Sequence, residues 1–339
     1  METLHLTGFL PTDPGVETAA RLLHDGGVVA IPTETVYGLA ANAFDEKAIL
    51  RVFEAKGRPQ DNPLIVHISA FDQLAPLVTE IPDTARALAD AFWPGPLTLV
   101  LPRSDLLPDA VSAGLDTVAV RMPSNRVARA VIDQSGCPLA APSANLSGRP
   151  SPTTAQHVID DLDGRIDGIL LSGDCEVGVE STVILLAGGQ KRLLRPGGVT
   201  KEMLESVIGP VDLDKAVLSA EVTAKVSSPG MKYKHYAPST KVVMLTGDAS
   251  AYAAYVQASP VSCAAICFDE DLPNLDCPCV PYGSGRDELT LAHGIFDALR
   301  RVDALGVDIA FVHAPSKSGV GLAVYNRLLR AAAFDVVEL

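Results

Sequence analysis

The chain has 339 residues, 47% hydrophobic and 20% charged, with a formal net charge of -14. That length gives room for about two domains with separate cores, and the composition excludes a disordered chain. The acidic balance excludes a protein whose main task is gripping nucleic-acid backbone, although a local cationic pocket for a nucleotide stays compatible. No apolar stretch approaches the ~20 residues of a membrane span. Met1 to Asp13 lacks a basic segment followed by a long apolar run, so no signal peptide is expected and a cytoplasmic location is.

In chain order, Pro14 to Gly26 reads as a helix with Val16, Ala19, Ala20, Leu22 and Leu23 inward, closed by a glycine pair. Val28 to Ile31 is a short apolar strand that leads into Pro32-Thr33-Glu34-Thr35-Val36-Tyr37-Gly38-Leu39-Ala40. Hydroxyls, a carboxylate and a phenol are thereby gathered at a strand end, where α/β proteins bind ligands. Asp45 can cap the next helix, which carries Ile49, Val52 and Phe53 on one face and stops at Gly57. Arg58 and Asn62 each precede a proline and are biased to extended backbone. Lys56 and Arg58 are therefore held on a stiff turn before the strand Leu64 to Ile68, which carries His67. This cationic turn either complements the helix dipole or holds phosphate.

Two helical segments follow, Phe71 to Val78 and Asp83 to Phe92, then a break at Trp93-Pro94-Gly95-Pro96 and a strand from Leu97 to Leu101. Thr117 to Arg121 alternates as a strand does, with Thr117, Ala119 and Arg121 on one face. Helix Val127–Ile132 and strand Pro138–Ala141 open into a polar loop, Pro142 to Pro152, rich in small hydroxyl and amide side chains. Beyond helix Thr154–Asp161 and strand Gly168–Leu171, the segment Glu180 to Leu186 pairs with Arg192 to Arg195, which ends at Pro196-Gly197-Gly198. Helix Lys201–Ile208 closes a first domain spanning residues 1–210.

Residues 211–240 read as a linker, ending in the alternating basic and aromatic run Met231-Lys232-Tyr233-Lys234-His235-Tyr236. That run suits a lid laid over an anionic ligand better than a solvated tether. From Lys241 to Leu339, strands alternate with helices, which predicts a smaller, Rossmann-like doubly wound parallel sheet. It lacks both the dinucleotide and the P-loop glycine patterns. Tyr325, Asn326 and Arg327 fall at the centre of a helix that reads as exposed. Cys263, Cys267, Cys277 and Cys279 lie close together, but their spacing favours small buried residues over zinc ligands.

Several runs together carry a resemblance. They are Pro32 to Leu39, Lys56-Gly57-Arg58-Pro59 with Asn62-Pro63-Leu64, Thr117 to Arg121, and Pro142-Ser143-Ala144-Asn145. Glu180-Ser181-Thr182, Arg195-Pro196-Gly197, Ser228-Pro229-Gly230-Met231 and His235-Tyr236-Ala237-Pro238 complete the set. In this order they resemble the long, two-domain form of the threonylcarbamoyl-AMP synthases. The resemblance implies an α/β fold whose N-terminal domain is a mixed, twisted, YrdC-like (DHBP-synthase-like) sheet with a positively lined cavity. It implies formation of L-threonylcarbamoyladenylate and pyrophosphate from L-threonine, bicarbonate and ATP, with Mg²⁺ on the triphosphate and no protein ligand for it identified. The adenylate would pass to a tRNA threonylcarbamoyl-transferase complex, with weak or no direct tRNA binding and no membrane.

Carried over by position, Thr35, His67, Arg121, Ala141 and Ser181 are expected to contact L-threonine, Arg121 through a bidentate pair with its carboxylate. Arg58, Asn62, Thr117, Ser143, Ser151, Arg195 and Tyr236 are expected to contact the nucleotide. Lys56 and Arg58 form the cationic pair on which catalysis depends. Lys232 and Lys234 stand where other members often place arginine. Two other classes compete: a carbamoyltransferase of the hydrogenase-maturation type, which would bring zinc fingers of paired cysteines, and a non-catalytic RNA-binding protein.

Overall fold

The computed structural model describes residues 2–219 and 236–339. The first part runs β1 (Leu4–Thr7), α1 (Pro14–His24), β2 (Val29–Ile31), β3 (Gly38–Asn42), α2 (Glu46–Lys56), β4 (Ile65–His67) and α3 (Asp83–Phe92). It continues β5 (Leu97–Pro102), α4 (Asp109–Ser112), β6 (Thr117–Arg121), α5 (Arg126–Ser135), β7 (Leu139–Ala140), α6 (Ala155–Leu162) and β8 (Gly168–Leu171). β9 (Thr182–Leu185), β10 (Arg192–Arg195), α7 (Lys201–Ile208) and β11 (Asp212–Leu213) complete it. The second part holds β12 (Lys241–Thr246), α8 (Ala249–Gln257), β13 (Cys263–Cys267), β14 (Cys279–Pro281), α9 (Glu288–Arg301), β15 (Ile309–His313), α10 (Gly321–Ala331) and β16 (Val336–Glu338).

The first eleven strands form one mixed sheet in the order β1-β8-β2-β3-β7-β4-β6-β5-β9-β10-β11. Its centre brings β3, β7, β4 and β6 side by side, so residues far apart in sequence end their strands at one place. β4 and β6 run parallel with His67 opposite Arg121, and β7 crosses β4 antiparallel with Leu139 opposite His67. The last five strands form an all-parallel sheet in the order β14-β13-β15-β12-β16, the doubly wound arrangement that the strand and helix alternation predicts.

α2 illustrates how sequence sets position. Asp45 Oδ1 accepts from the backbone N–H groups of Lys47 and Ala48 at 2.9 and 3.2 Å, and Gly57 ends the helix at φ 60°. Gly57 tolerates that left-handed backbone without a Cβ penalty. Ala48, Ile49, Val52, Phe53 and Lys56 form the buried face.

Three differences from expectation have physical causes. Phe71–Leu77 is a 3-10 helix containing Pro76, which cannot continue an α-helical ladder. The start of the expected linker instead docks on the first sheet, because Asp212 and Leu213 pair with β10. α10 is buried along its whole length rather than exposed, since it lies between the second sheet and the first part of the chain. Arg330 donates to the Ala216 carbonyl at 2.8 Å and Asn326 to the Val217 carbonyl at 2.7 Å across that seam. A single apolar cluster also joins Val36 and Val179 of the first part to Ile295, Phe296 and Leu328 of the second. All six cysteines are free thiols, and among the described residues no group of three His, Cys, Asp or Glu side chains could hold a metal.

Candidate active site

A cavity opens where the strand ends meet. Thr35, Lys56, Arg58, His67, Arg121, Ala141, Ser143, Ser181, Arg195 and Tyr236 all line it. Asn62, Thr117 and Ser151 are not among its lining residues. Ser151 lies just behind the wall, where its hydroxyl donates to Glu180 Oε1 at 2.5 Å. Asn62 is fully buried with neither side-chain amide atom hydrogen-bonded. Thr117 begins β6, opposite Pro102 of β5.

The segment between β2 and β3 builds one wall. Thr33 Oγ1 donates to the Val36 carbonyl at 2.6 Å and lies 2.9 Å from Thr35 Oγ1, which fixes a tight polar turn. Arg121, the last residue of β6, donates from Nη1 to Thr35 Oγ1 at 2.8 Å. Its Nη2 stands 2.7 Å from Glu34 Oε1, and both side chains are almost wholly buried. The fork expected to meet a substrate carboxylate is thus already engaged by Glu34 and Thr35. Burial works to raise the Glu34 pKa, but the Arg121 charge and hydrogen bonds from Arg121 and Ser124 outweigh it and hold the carboxyl below its ordinary value. Tyr37, the phenol of this run, faces the core and donates to the Gly173 carbonyl at 3.1 Å.

His67 is neutral. Burial, then the nearby Arg121 charge, pushes its pKa down to about 3. Nδ1 lies 3.1 Å from the Ile65 carbonyl oxygen, which can only accept, so Nδ1 carries the proton.

The cationic turn after α2 divides its work. Lys56 Nζ donates to the carbonyls of Ser143 and Asn145, both at 2.5 Å, and sits 3.5 Å from Asn145 Oδ1. Its ammonium therefore clamps the loop after β7, and burial with the neighbouring Arg58 charge lowers its pKa well below the ordinary lysine value. Arg58 holds on more loosely, by Nη2 contacts of 3.3 and 3.1 Å to the Asn62 and Pro63 carbonyls, and its Nε is buried without a partner. Burial lowers its pKa to about 10, so it stays cationic at neutral pH.

The opposite wall comes from the β9 and β10 pair. Arg195 Nε donates to the Ser181 carbonyl at 3.0 Å and Nη2 to Ser181 Oγ at 3.1 Å, while Ser181 Oγ lies 2.7 Å from Thr98 Oγ1. The backbones at 180–182 and 197 approach closely: a Cβ on Gly197 would fall 2.3 Å from the Thr182 nitrogen. Only glycine fits there. The expected lid run from Ser228 to His235 lies outside the described residues. Tyr236 is described: at φ 63°, it is buried in the cavity wall with its ring centroid 5.3 Å from that of Phe296. Ala237 N–H then donates to the Gly148 carbonyl at 2.9 Å.

Two carboxylates stand beside the cavity: Glu34, from the strand-end run already singled out in the sequence, and Glu180, which was not expected there. Both are consumed by cations, Glu34 by Arg121 and Glu180 by Arg327. Each stands inside a run that the resemblance rests on, but a cation supplied from elsewhere in the chain leaves no local signal. The cavity offers a neutral imidazole, small hydroxyls and the guanidinium groups of Arg58 and Arg195. That set suits an anionic ligand with a small polar head.

Comparison with known proteins agrees with this geometry. Residues 21–197 match the family model described as "Telomere recombination", and residues 199–333 match "Threonylcarbamoyl-AMP synthase, C-terminal domain". The threonylcarbamoyl-AMP synthase of Pyrococcus abyssi is 46% identical over 336 residues, covering 96% of each chain. That of Bacillus subtilis is 47% identical over 331 residues, covering 96% of this chain and 95% of the other. The crystal structure of Pyrococcus abyssi Sua5 complexed with L-threonine matches at a TM-score of 0.91 and 42% identity over the full length of both chains. With both parts of its sequence and both of its sheets accounted for, this chain belongs to the threonylcarbamoyl-AMP synthase family.

Proposed function

We propose that the protein makes L-threonylcarbamoyladenylate and pyrophosphate from L-threonine, bicarbonate and ATP in the cytoplasm, and passes the adenylate to a tRNA threonylcarbamoyl-transferase complex. The observation that carries the reading is the convergence of Arg58 and Arg195 with Thr35, His67 and Ser181 on one cavity in a strongly acidic chain. Threonine's amine and bicarbonate give a carbamate and water. A carbamate oxygen then forms a bond to the α-phosphorus of ATP while the bond to pyrophosphate breaks. Such a transfer asks for alignment and for neutralised phosphate charge rather than covalent work by the protein. Arg58 and Arg195 supply charge to phosphate, and Lys56 holds Ser143 and the loop around it in place. Thr35, His67, Ala141 and Ser181 shape the end that takes threonine, with Arg121 oriented there by Glu34. Asn62, whose buried amide lacks partners, Thr117 and Ser151 are assigned to the nucleotide as well, from outside the cavity lining. Mg²⁺ enters as part of the Mg-ATP substrate.

Purified protein should release pyrophosphate only when L-threonine, bicarbonate and Mg-ATP are all present, with the adenylate seen by mass spectrometry. Release that continues without threonine or bicarbonate would refute the reading.

A further inference from the structure

Arg327 comes from α10, in the second part of the chain, yet its shortest hydrogen bonds reach Glu180 and Pro196, beside the cavity of the first. It is completely buried. Nε donates to Glu180 Oε2 at 2.8 Å, Nη2 to the Glu180 carbonyl at 3.2 Å and Nη1 to the Pro196 carbonyl at 2.7 Å. Glu180 directly precedes Ser181 and Pro196 directly follows Arg195. One guanidinium thus pins both outer neighbours of the Ser181 and Arg195 pair. The other oxygen of Glu180 accepts from Ser151, and the Tyr236 ring centroid lies 5.9 Å from the Arg327 guanidinium carbon.

We propose that Arg327 is a positioning residue for the reaction, through which the C-terminal sheet sets the nucleotide end of the site. The assignment of that end to ATP rests on the function proposed above. A buried ion pair is a weak stability device, since well-packed apolar residues fill the same space at no loss. Here the pair does something an apolar pair could not. It occupies a carboxylate close enough to Arg195 for the two charges to interact. Burial alone would raise the Glu180 pKa, but the Arg327 charge and then the Arg195 charge keep it ionised. Without Arg327, Glu180 turns to Arg195 as its remaining cation and withdraws that guanidinium from phosphate. The end formed by Thr35, His67 and Arg121 is built on other elements and feels this less.

The test is calorimetric binding of Mg-ATP, without turnover, to wild type, R327Q, R327K, the E180Q/R327Q pair and R330Q. Arg330 is one turn along α10 and serves as a seam control, docked on the Ala216 carbonyl. R327Q is expected to bind Mg-ATP about tenfold more weakly, the scale of one lost charge-assisted contact. R327K keeps the charge but loses the fork, so it should fall in between. E180Q/R327Q should return to near wild-type affinity, and R330Q should lower the unfolding temperature alone. In turnover, the KM for ATP should rise in R327Q by more than that for threonine, which meets this seam only through Ser181. Wild-type affinity in a folded R327Q overturns the proposal, and so does equal weakening in R330Q. Should R327Q fail to fold, wild-type affinity in R327K does the same. If wild type binds Mg-ATP but makes no adenylate, the functional reading fails while the role of Arg327 is still decided by binding.

Discussion

Arg121 Nη2 and Glu34 Oε1 stand 2.7 Å apart, and each side chain is less than 5% exposed. The charge that faces the small hydroxyls of the cavity is therefore balanced within the protein, and its guanidinium is aimed before any ligand arrives. Removing one partner of such a pair leaves an uncompensated buried charge. E34Q should destabilise the fold by about 3 kcal/mol, read from urea unfolding, and should lower turnover by loosening Arg121. Unchanged stability would mean that Arg121 reaches solvent in the variant.

Lys56 and Arg58 should separate cleanly. Both variants to alanine are expected to lose nearly all turnover. K56A also removes the donor shared by the part-buried Ser143 carbonyl and the buried Asn145 carbonyl, which costs about 2 kcal/mol. R58A gives up only long contacts to backbone and should stay within about 1 kcal/mol of wild type. Equal unfolding midpoints for the two variants would contradict the loop clamp assigned to Lys56.

His67 gives a pH signature. The unfolded imidazole takes a proton near pH 6.5, while the native one refuses it down to about pH 3. The unfolded state thus binds more protons across that window, so this contribution is complete above pH 6.5 and fades as pH falls. The slope is about 1.4 kcal/mol per pH unit. H67Q lacks it, so the stability gap between wild type and H67Q should shrink by roughly 2 kcal/mol between pH 6.5 and pH 5. Glu34 and Glu180 contribute lower down, below their ordinary value of 4.5. A gap that does not change with pH would show that the native histidine titrates normally.

The cap and stop of α2 should be separable from chemistry. D45A removes the acceptor for two backbone N–H groups and should cost about 1 kcal/mol. G57A meets no atom within 4 Å, so its cost is only that of the left-handed backbone, about 1 kcal/mol. D45A should keep turnover at the assay temperature, whereas G57A should reduce it by shifting the turn that carries Arg58. Full turnover in G57A would show that the turn tolerates displacement.

The sequence made the strand-end residues legible because each carries local punctuation: Gly57 and Pro59 around the cations, and prolines and small polar groups from Pro142 onward. Alternation announced the parallel second sheet. Ion-pair partners were not legible, since Glu180 meets its cation 147 residues away. The polar centre of α10 misled for the same reason: Asn326 and Arg330 look solvated until carbonyls at Val217 and Ala216 are supplied from another part of the chain. β14 (Cys279–Pro281) is too short and too proline-bound to announce itself as a strand.

The burial of α10 on every side limits how the molecule can be taken apart. A fragment ending near residue 210 would present Glu180 as a naked carboxylate beside the cavity. The matching C-terminal fragment would expose a helix with three polar side chains and no carbonyls to meet them. Chimeras that exchange the second sheet between relatives should therefore work only when positions 180 and 327 travel as a matched set. The inherited unit is the seam, not the sheet.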